Sequence, residues 1–388
     1  MAPLTERQAW LVLASVKGVG DETFGRLLSI FGSAATVLIA AGDGRLATAS
    51  ADWQRRQGRP LLTAPVLTEL RAIAADGNER LTALSDRGLW SLTPLDAGYP
   101  GRLRDLDPPP PVVHGLGDPA ILVARRVVAL VGTRRPTPFG RMLAGRICGR
   151  LVECGAVVVS GLAVGVDGAA HAAVVERGGR TIAVIGAGHD TPGPRAHEGL
   201  RRAILAGGGA IVGEHHPTVR ATHGTYPRRN RIIAALAEAT IVVEAPVRSG
   251  ALITARHALE LGRRVLVAPG RVGDWSTAGS LALLRETPAY PLTGLDEMVA
   301  DLGFLGGGDA ASAVVGGPEA RGALLATIGP TERSVAERLC LGPAGLDGLV
   351  AGTGHPPAVV AGALTLLLMR GWAQAIGPVY LVAGPLLG

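Results

Sequence analysis

Between residues 127 and 268, short runs of β-branched apolar residues alternate with longer stretches whose apolar positions recur at helical spacing. The runs are brief and almost uniformly hydrophobic, and several end in glycine. That pattern predicts strands buried on both faces of a parallel sheet, with helices crossing between them. The expected strands are 127–131, 156–160, 180–185, 209–213, 240–244 and 264–268; the expected helices are 138–153, 166–177, 196–206, 228–238 and 250–262. Six strands and five crossover helices make an α/β core, a doubly wound parallel sheet. Ligands of such sheets bind at the carboxyl ends of the strands, where the glycine turns lie.

On either side of this core the pattern changes. Residues 4–40 read as short helices and 41–90 as turn-rich and helical pieces, giving a small α-helical domain over 1–90. Within it, residues 16–32 (VKGVGDETFGRLLSIFG) carry the turn and helix of a helix-hairpin-helix, whose glycines leave backbone N–H groups free for DNA phosphates. The turn itself holds a single basic residue, Lys17, which argues against strong binding there. A connector over 91–126 contains four consecutive prolines at 108–111, which enforce an extended path into an edge strand at 112–115. The core spans 127–300, and a glycine- and alanine-rich linker spans 301–320. Residues 321–388 then show helices near 331–339, 346–351 and 356–370, and a hairpin turning at Gly377-Pro378. That order predicts a C-terminal winged-helix domain. Its third helix has Arg370 as its only charged residue, so a packing or protein-contact role is expected rather than DNA reading.

Composition narrows the class. The 388 residues suit two or three domains, and 47% hydrophobic with 18% charged residues is a globular balance. No uncharged apolar run approaches the roughly 20 residues of a bilayer span, and MAPLTERQAW has no signal-peptide core, so no membrane partner is expected. Cys148, Cys154 and Cys340 lack metal-ligand spacing and cannot all pair; a reducing cytoplasm is the simplest compartment. Net charge is +6, and Lys17 is the one lysine. Arginine's planar fork suits bidentate phosphate contacts, although GC-rich codon bias also replaces lysine. Placement is more telling: positions 125–150 hold seven arginines and no acid.

Candidate chemistry gathers at the expected strand ends. VGTRRP places Gly132, Thr133, Arg134 and Arg135 after the first strand, where free N–H groups and guanidinium groups suit an anion. Neither the G-x-G-x-x-G dinucleotide fingerprint nor G-K-[ST] follows, so no nicotinamide or nucleotide cofactor is expected, and no metal. SGLAVGVDGAAH brings Ser160, Gly161 and Gly165 to the second strand end; Asp167 and His171, four residues apart on one helix face, read as structural support rather than a catalytic pair. TIAVIGAGHD adds Gly186 and Gly188, and Arg195 keeps the following loop basic. TYPRRNR sets Arg228, Arg229 and Arg231 around Asn230 at a helix start, with Tyr226 able to stack on a base. Glu244 ends the next strand as support, and Ser249, Gly250 and Thr254 occupy the next helix entry. Repeated phosphate sockets suit a polyanion better than one nucleotide.

Taken together, YPGRLRDLDPPPPVVHGLG, VGTRRPTPFG, SGLAVGVDGAAH, TIAVIGAGHD, YPRRNRIIAAL and EAPVRSGALITARHALELGRRVLVAPG resemble the DprA (DNA-processing A, Smf) family over nearly the whole chain. The resemblance implies an extended Rossmann-like core that binds single-stranded DNA, forms a homodimer and helps load the RecA recombinase during natural transformation. It implies DNA-backbone contacts from Arg134 and from the arginines flanking Asn230, with no catalytic residue. The chain departs from the family pattern at Gly193-Pro194 and His197, where a Tyr-Pro pair and an Asn are usual. It departs again at Leu281, for an Asn, and at Thr287-Pro288, for Gly-Ala. An alternative of another class is a nucleotide-hydrolysing enzyme like the phosphoribohydrolases; RSGALITARHALE lacks their P-G-G loop, and Glu260 lies six residues beyond Thr254 instead of three.

Overall fold

Val127–Val131 is buried along its whole length, and its two faces feed two separate cores. In the computed structural model, which describes residues 4–304 apart from 192, 194 and 223, and residues 325–382 apart from 343, 371, 377 and 378, it is the middle one of the seven parallel strands of the main sheet. The chain begins with α1 (Glu6–Ala14), α2 (Asp21–Phe31), α3 (Ala34–Gly42), α4 (Arg45–Gln57) and α5 (Ala64–Ser85). The connector supplies β1 (Trp90–Leu92) and β2 (Val113–Gly117). The core then alternates: β3 (Val127–Val131), α6 (Pro138–Glu153), β4 (Val157–Ser160), α7 (Val166–Glu176), β5 (Thr181–Val184), α8 (Glu198–Ala206), β6 (Ala210–Gly213), α9 (Thr225–Leu236), β7 (Ala239–Val242), α10 (Gly250–Glu260) and β8 (Arg264–Val267). It closes with α11 (Ala278–Glu286), β9 (Tyr290–Pro291) and α12 (Leu295–Asp301).

The strand order is β1-β2-β6-β5-β4-β3-β7-β8-β9, parallel from β6 to β9 and antiparallel at β1 and β2. From β3 the chain winds outward to β6, then returns to the other side of β3 at β7, so a topological switch point falls between β3 and β7. Alternation along β3 decides the layers. Val127, Ala129 and Val131 pack with Ile232, Ile233 and Leu236 of α9 and Leu252 and Ala255 of α10. Val128 and Leu130 pack with Ile147 and Leu151 of α6 and Ala170 and Val174 of α7.

All six core strands and five helices stand where their periodicity placed them, with shifted ends. α9 starts at Thr225, ahead of the expected 228, because Pro227 is tolerated in a first turn, where its missing N–H has no intrahelical partner. The connector departs more. β2 is covered by β1, with Trp90 opposite Gly115, so it is no edge strand. A Cβ at Gly115 would lie 2.2 Å from the Trp90 ring, so only glycine admits that ring.

The five N-terminal helices enclose their own core of Val12, Leu13, Phe24, Leu27, Val37 and Leu70, and they share one compact unit with the sheet. Glu6 of α1 receives the N–H groups of Ala34 and Ala35 at 2.7 and 3.0 Å, satisfying two open donors of α3. The proline run is a docking rail: Pro111 O accepts from Trp10 Nε1, Pro110 O from Tyr99 Oη, and Pro108 O from Arg231.

The second unit contains α13 (Pro330–Cys340), β10 (Ala344–Gly345), α14 (Leu346–Thr353), α15 (Pro357–Met369), β11 (Ala373–Ile376) and β12 (Val379–Val382), with the strands ordered β10-β12-β11. Most of the expected 301–320 linker and the Gly377-Pro378 turn lie outside the described residues. Among the described residues no single helix is long and apolar enough to cross a membrane.

Three histidines are held inside the main unit. His171 is fully buried with Nδ1 2.8 Å from Thr181 Oγ1, His114 meets Ser91 Oγ at 2.8 Å, and His189 Nε2 lies 3.2 Å from the His114 carbonyl. Burial pushes His114 and His171 down to about 3 and His189 down to about 4, from an ordinary 6.5. The unfolded chain therefore takes up these protons first, so stability is full above pH 6.5 and falls as pH drops toward 4. At pH 5 each histidine is expected to cost about 2 kcal/mol. Melting curves from pH 8 to 5 should show a falling Tm, and His189→Asn should reduce the slope; a flat Tm would contradict the account.

Candidate functional site

The turn after β3 is fixed by one buried acid. Glu244, 4% exposed, accepts the Thr137 N–H at 2.9 Å and the Thr137 hydroxyl through its carboxylate, and its carbonyl accepts the Thr133 N–H at 2.6 Å. Thr137 also caps α6 by accepting from Gly140 N at 3.0 Å. A Cβ on Gly140 would stand 2.4 Å from the Glu244 carboxyl carbon, so glycine there admits the acid. The next turn presses close as well: Gly165 has φ +98°, and a Cβ on it would lie 2.4 Å from the Thr133 carbonyl. Arg134 and Arg135, between these anchors, are exposed.

Above this floor lies a cavity of about 710 Å³ at the switch point. Its wall includes Gly132, Thr133, Arg134 and Arg135, then Tyr226, Arg229 and Asn230 of α9, and Arg248, Ser249, Gly250 and Thr254 at the entry to α10. Trp275 completes it from the loop after β8. A smaller cavity of about 170 Å³ is lined by Arg134, Gly161, Leu162, Gly186, Arg201 and Tyr226. Arg134 and Tyr226 belong to both, with the guanidinium carbon 5.7 Å from the ring centroid, a cation–π distance. Leu162 carries a left-handed φ of +54°, held by its burial with Ile185, Ile204 and Ile211 and by the His197 bond to its carbonyl at 3.0 Å. Ser249 caps α10 through Ala251 N, and Asn230 Nδ2 donates to the Gly250 carbonyl at 3.1 Å, so the positive end of α10 faces the larger cavity.

The arginines of TYPRRNR, all three expected to meet phosphate, are not placed alike: Arg229 and Arg231 are turned inward, while Arg228 keeps an exposed side chain. Arg229 is 4% exposed and donates to the carbonyls of Gly161, at 2.6 Å, and Val184, so it ties together the ends of β4 and β5. Asp167 beside it accepts from Gly161 N at 3.1 Å; burial raises its pKa, and the Arg229 charge pulls it back. Arg231 pairs with Asp21 at 3.0 Å and with Glu214, and Arg228 pairs with the same two acids. Asp21 and Glu214 have side chains only 9% and 6% exposed and Arg231 12%, so the Arg231 charge is spent inside the fold, while the Arg228 side chain keeps 40% exposure. Asp21 begins α2, and the hairpin-like turn before it is therefore directed at α9.

Other expected contacts are structural too. Ser160 is fully buried and donates to the Leu130 carbonyl at 2.6 Å. Gly161 has both peptide groups engaged, by Arg229 and Asp167. Gly188 donates to the Val219 carbonyl at 2.8 Å, and a Cβ on it would meet the His216 and Pro217 carbonyls at 2.2 Å. His171 bonds Thr181 rather than Asp167. Arg195 opens a short 3-10 turn, and its side chain lies outside the described residues. Glu260, the alternative catalytic acid, is exposed at the end of α10, 3.1 Å from His257, and is not part of the cavity wall. Sequence reasoning passed over Arg248 and Trp275; the signal for both was a large side chain in the loop that joins a core strand to the next helix.

The fold and this site define a doubly wound α/β protein with a basic, glycine-turn cleft at its switch point. A family model described as DNA recombination-mediator protein A matches residues 90–303, and the chain belongs to that family. It is 38% identical over 309 residues to a DNA processing protein DprA of Mycobacterium tuberculosis, covering 76% of this chain and 77% of that one. It is 37% identical over 207 residues to DNA processing protein DprA of Bacillus subtilis, covering 53% and 69%. The X-ray structure of DprA from Streptococcus pneumoniae superposes with a TM-score of 0.59 at 28% identity, over 77% of this chain and 99% of that one. DNA processing protein A of Helicobacter pylori, described for its mode of binding single-stranded DNA, superposes with a TM-score of 0.50 at 27% identity, over 55% and 95%.

Removing one acid from the paired cluster leaves two guanidinium groups facing a single carboxylate, Asp21. Glu214→Ala is expected to lower unfolding free energy in urea by about 1–3 kcal/mol, whereas Arg134→Ala, at an exposed position, should change it by less than about 0.5 kcal/mol. Equal effects would refute this division of roles.

Proposed function

We propose that the cleft holds single-stranded DNA by its phosphates, without breaking bonds, and that the chain serves as a recombination mediator that loads RecA onto the strand. One observation carries this reading. Among the described residues no ion pair engages Arg134, Arg135 or Arg248, all exposed at one cavity, while Arg228 and Arg231 are neutralised by acids. Three guanidinium groups without an acid partner thus meet at one cavity at the switch point, beside the amide-rich start of α10. Family membership and the Helicobacter pylori relative's binding of single-stranded DNA support the same substrate. Gly132 and Gly250 line the cavity beside the arginines, and Tyr226 offers a face to a base, so affinity is independent of sequence.

In this proposal the protein works as a homodimer in the cytoplasm. The α-helical layer, connector and Rossmann-like core form the DNA-holding part. The C-terminal unit, as a winged helix, contacts protein, because α15 exposes Val359, Leu366, Leu368 and Met369 and no lysine or arginine.

Gel shifts with oligo-dT across a salt series test the site. Arg134→Ala and Arg248→Ala should each weaken binding and reduce the slope of log K against log salt by about 0.7, the share of one phosphate on a single strand. Arg231→Ala, at an inward-facing group, should leave that slope unchanged. A RecA-dependent further shift tests loading, and release of adenine from AMP would instead favour hydrolysis.

A further inference from the structure

Trp275 is 64% exposed on the loop between β8 and α11, and it lines the 710 Å³ cavity. The basic wall of that cavity is Arg134, Arg135 and Arg248, and Tyr226, 40% exposed, lines it from the start of α9. A large aromatic ring in solvent is informative where it borders a concave site.

The loop beneath the ring is pinned while the ring itself is left out. Asp274 N and the Thr277 hydroxyl both donate to the Arg271 carbonyl, at 3.2 and 3.3 Å, and Ser276 and Thr277 are buried. A Cβ on Gly270 would lie 2.0 Å from Thr277 Cβ, so the two ends of the loop pass in close contact. Just beyond, Ser280 and Ala245 exchange two hydrogen bonds of 3.0 Å, one from each N–H, which fastens the loop to the chain leaving β7. Trp275 is thereby carried on the same rigid frame that positions Glu244 and the arginine turn.

The chemistry of the wall selects the occupant. Guanidinium groups call for an anion, and an exposed indole calls for a flat, apolar face. Asp167, the carboxylate among the described wall residues, is turned to the Gly161 N–H, and the exposed Asp274 next to Trp275 disfavours an anion directly at the ring. A base, which is uncharged, suits the ring, while its phosphates suit the arginines. Bases in a duplex are stacked inside and cannot present a face to an indole, so the strand is unpaired.

We propose that Trp275 is a stacking platform for a base of the strand whose phosphates lie on Arg134 and Arg248, acting together with Tyr226. This rests on the single-stranded DNA reading above and adds to it a residue and a mode of contact.

The full-length protein is titrated with oligo-dT and with an abasic sugar-phosphate oligomer of the same length. Trp275→Ala should lose roughly 5- to 100-fold in affinity for oligo-dT with an unchanged salt slope, while Trp275→Phe keeps most of it. Both proteins should bind the abasic oligomer alike. Oligo-dT should quench wild-type tryptophan emission, and Trp275→Phe should abolish that quench against the background of Trp10, Trp53, Trp90 and Trp372. An unchanged Tm for Trp275→Ala shows that folding is intact. Wild-type binding to oligo-dT that Trp275→Ala retains in full, with no quench, would overturn the platform and leave the DNA reading standing. Failure of the wild type to bind oligo-dT at any salt would overturn both.

Discussion

Glu244 is the constraint on which the site depends. A carboxylate with 4% exposure must have its oxygens satisfied, and here the Thr137 hydroxyl and N–H do so. The same residue's carbonyl takes the Thr133 N–H, so one position clamps both ends of the turn that displays Arg134 and Arg135. The geometry propagates outward: Gly140 gives the acid room, and Gly165 lets the β4–α7 turn approach Thr133. Arginine side chains are long and mobile, so a rigid backbone beneath them shortens the entropy cost of holding a phosphate.

The arginines of α9 and of the cavity separate into three groups once burial is known. Arg229 lies wholly inside and satisfies carbonyls that strand ends leave open; Arg228 and Arg231 face carboxylates from a distant part of the chain; Arg134, Arg135 and Arg248 face solvent at the cavity. Of these three groups, only the last leaves its charge open to an anion at the cavity. The ion pairs hold the helical layer to α9 at a desolvation cost, and removal of one acid leaves two guanidinium groups sharing the other.

Most of the fold was legible because strands buried on both faces have a distinctive composition. Runs such as VVALV and VVVS admit few alternatives, and the helices between them carry periodic apolar positions. What escaped was short or long-range. β1 has three residues and β9 two, below the length at which alternation can be seen, and the pairing of Asp21 with Arg228 and Arg231 links positions more than two hundred residues apart. The site was legible at its glycine turns, since turns follow from strand ends. Which arginines face the cavity was not, because TYPRRNR gives the sequence of charges along α9 but not the depth to which each side of that helix is covered.

Depth also settles the part taken by the hairpin-like turn near the N-terminus. A helix-hairpin-helix contacts phosphate with backbone N–H groups at the start of its second helix. In this chain that position is Asp21, an acid turned to two arginines, and a Cβ on the preceding Gly20 would stand 3.6 Å from Arg228. With Glu214 the cluster holds two positive and two negative charges, so its far field is close to zero. A phosphate approaching there meets an acid and no net attraction, whereas at the switch point it meets three arginines and a helix start. The turn therefore works as a dock for α9, and by pairing with Arg228 and Arg231 it leaves Arg134, Arg135 and Arg248 as the cavity arginines without an acid partner among the described residues.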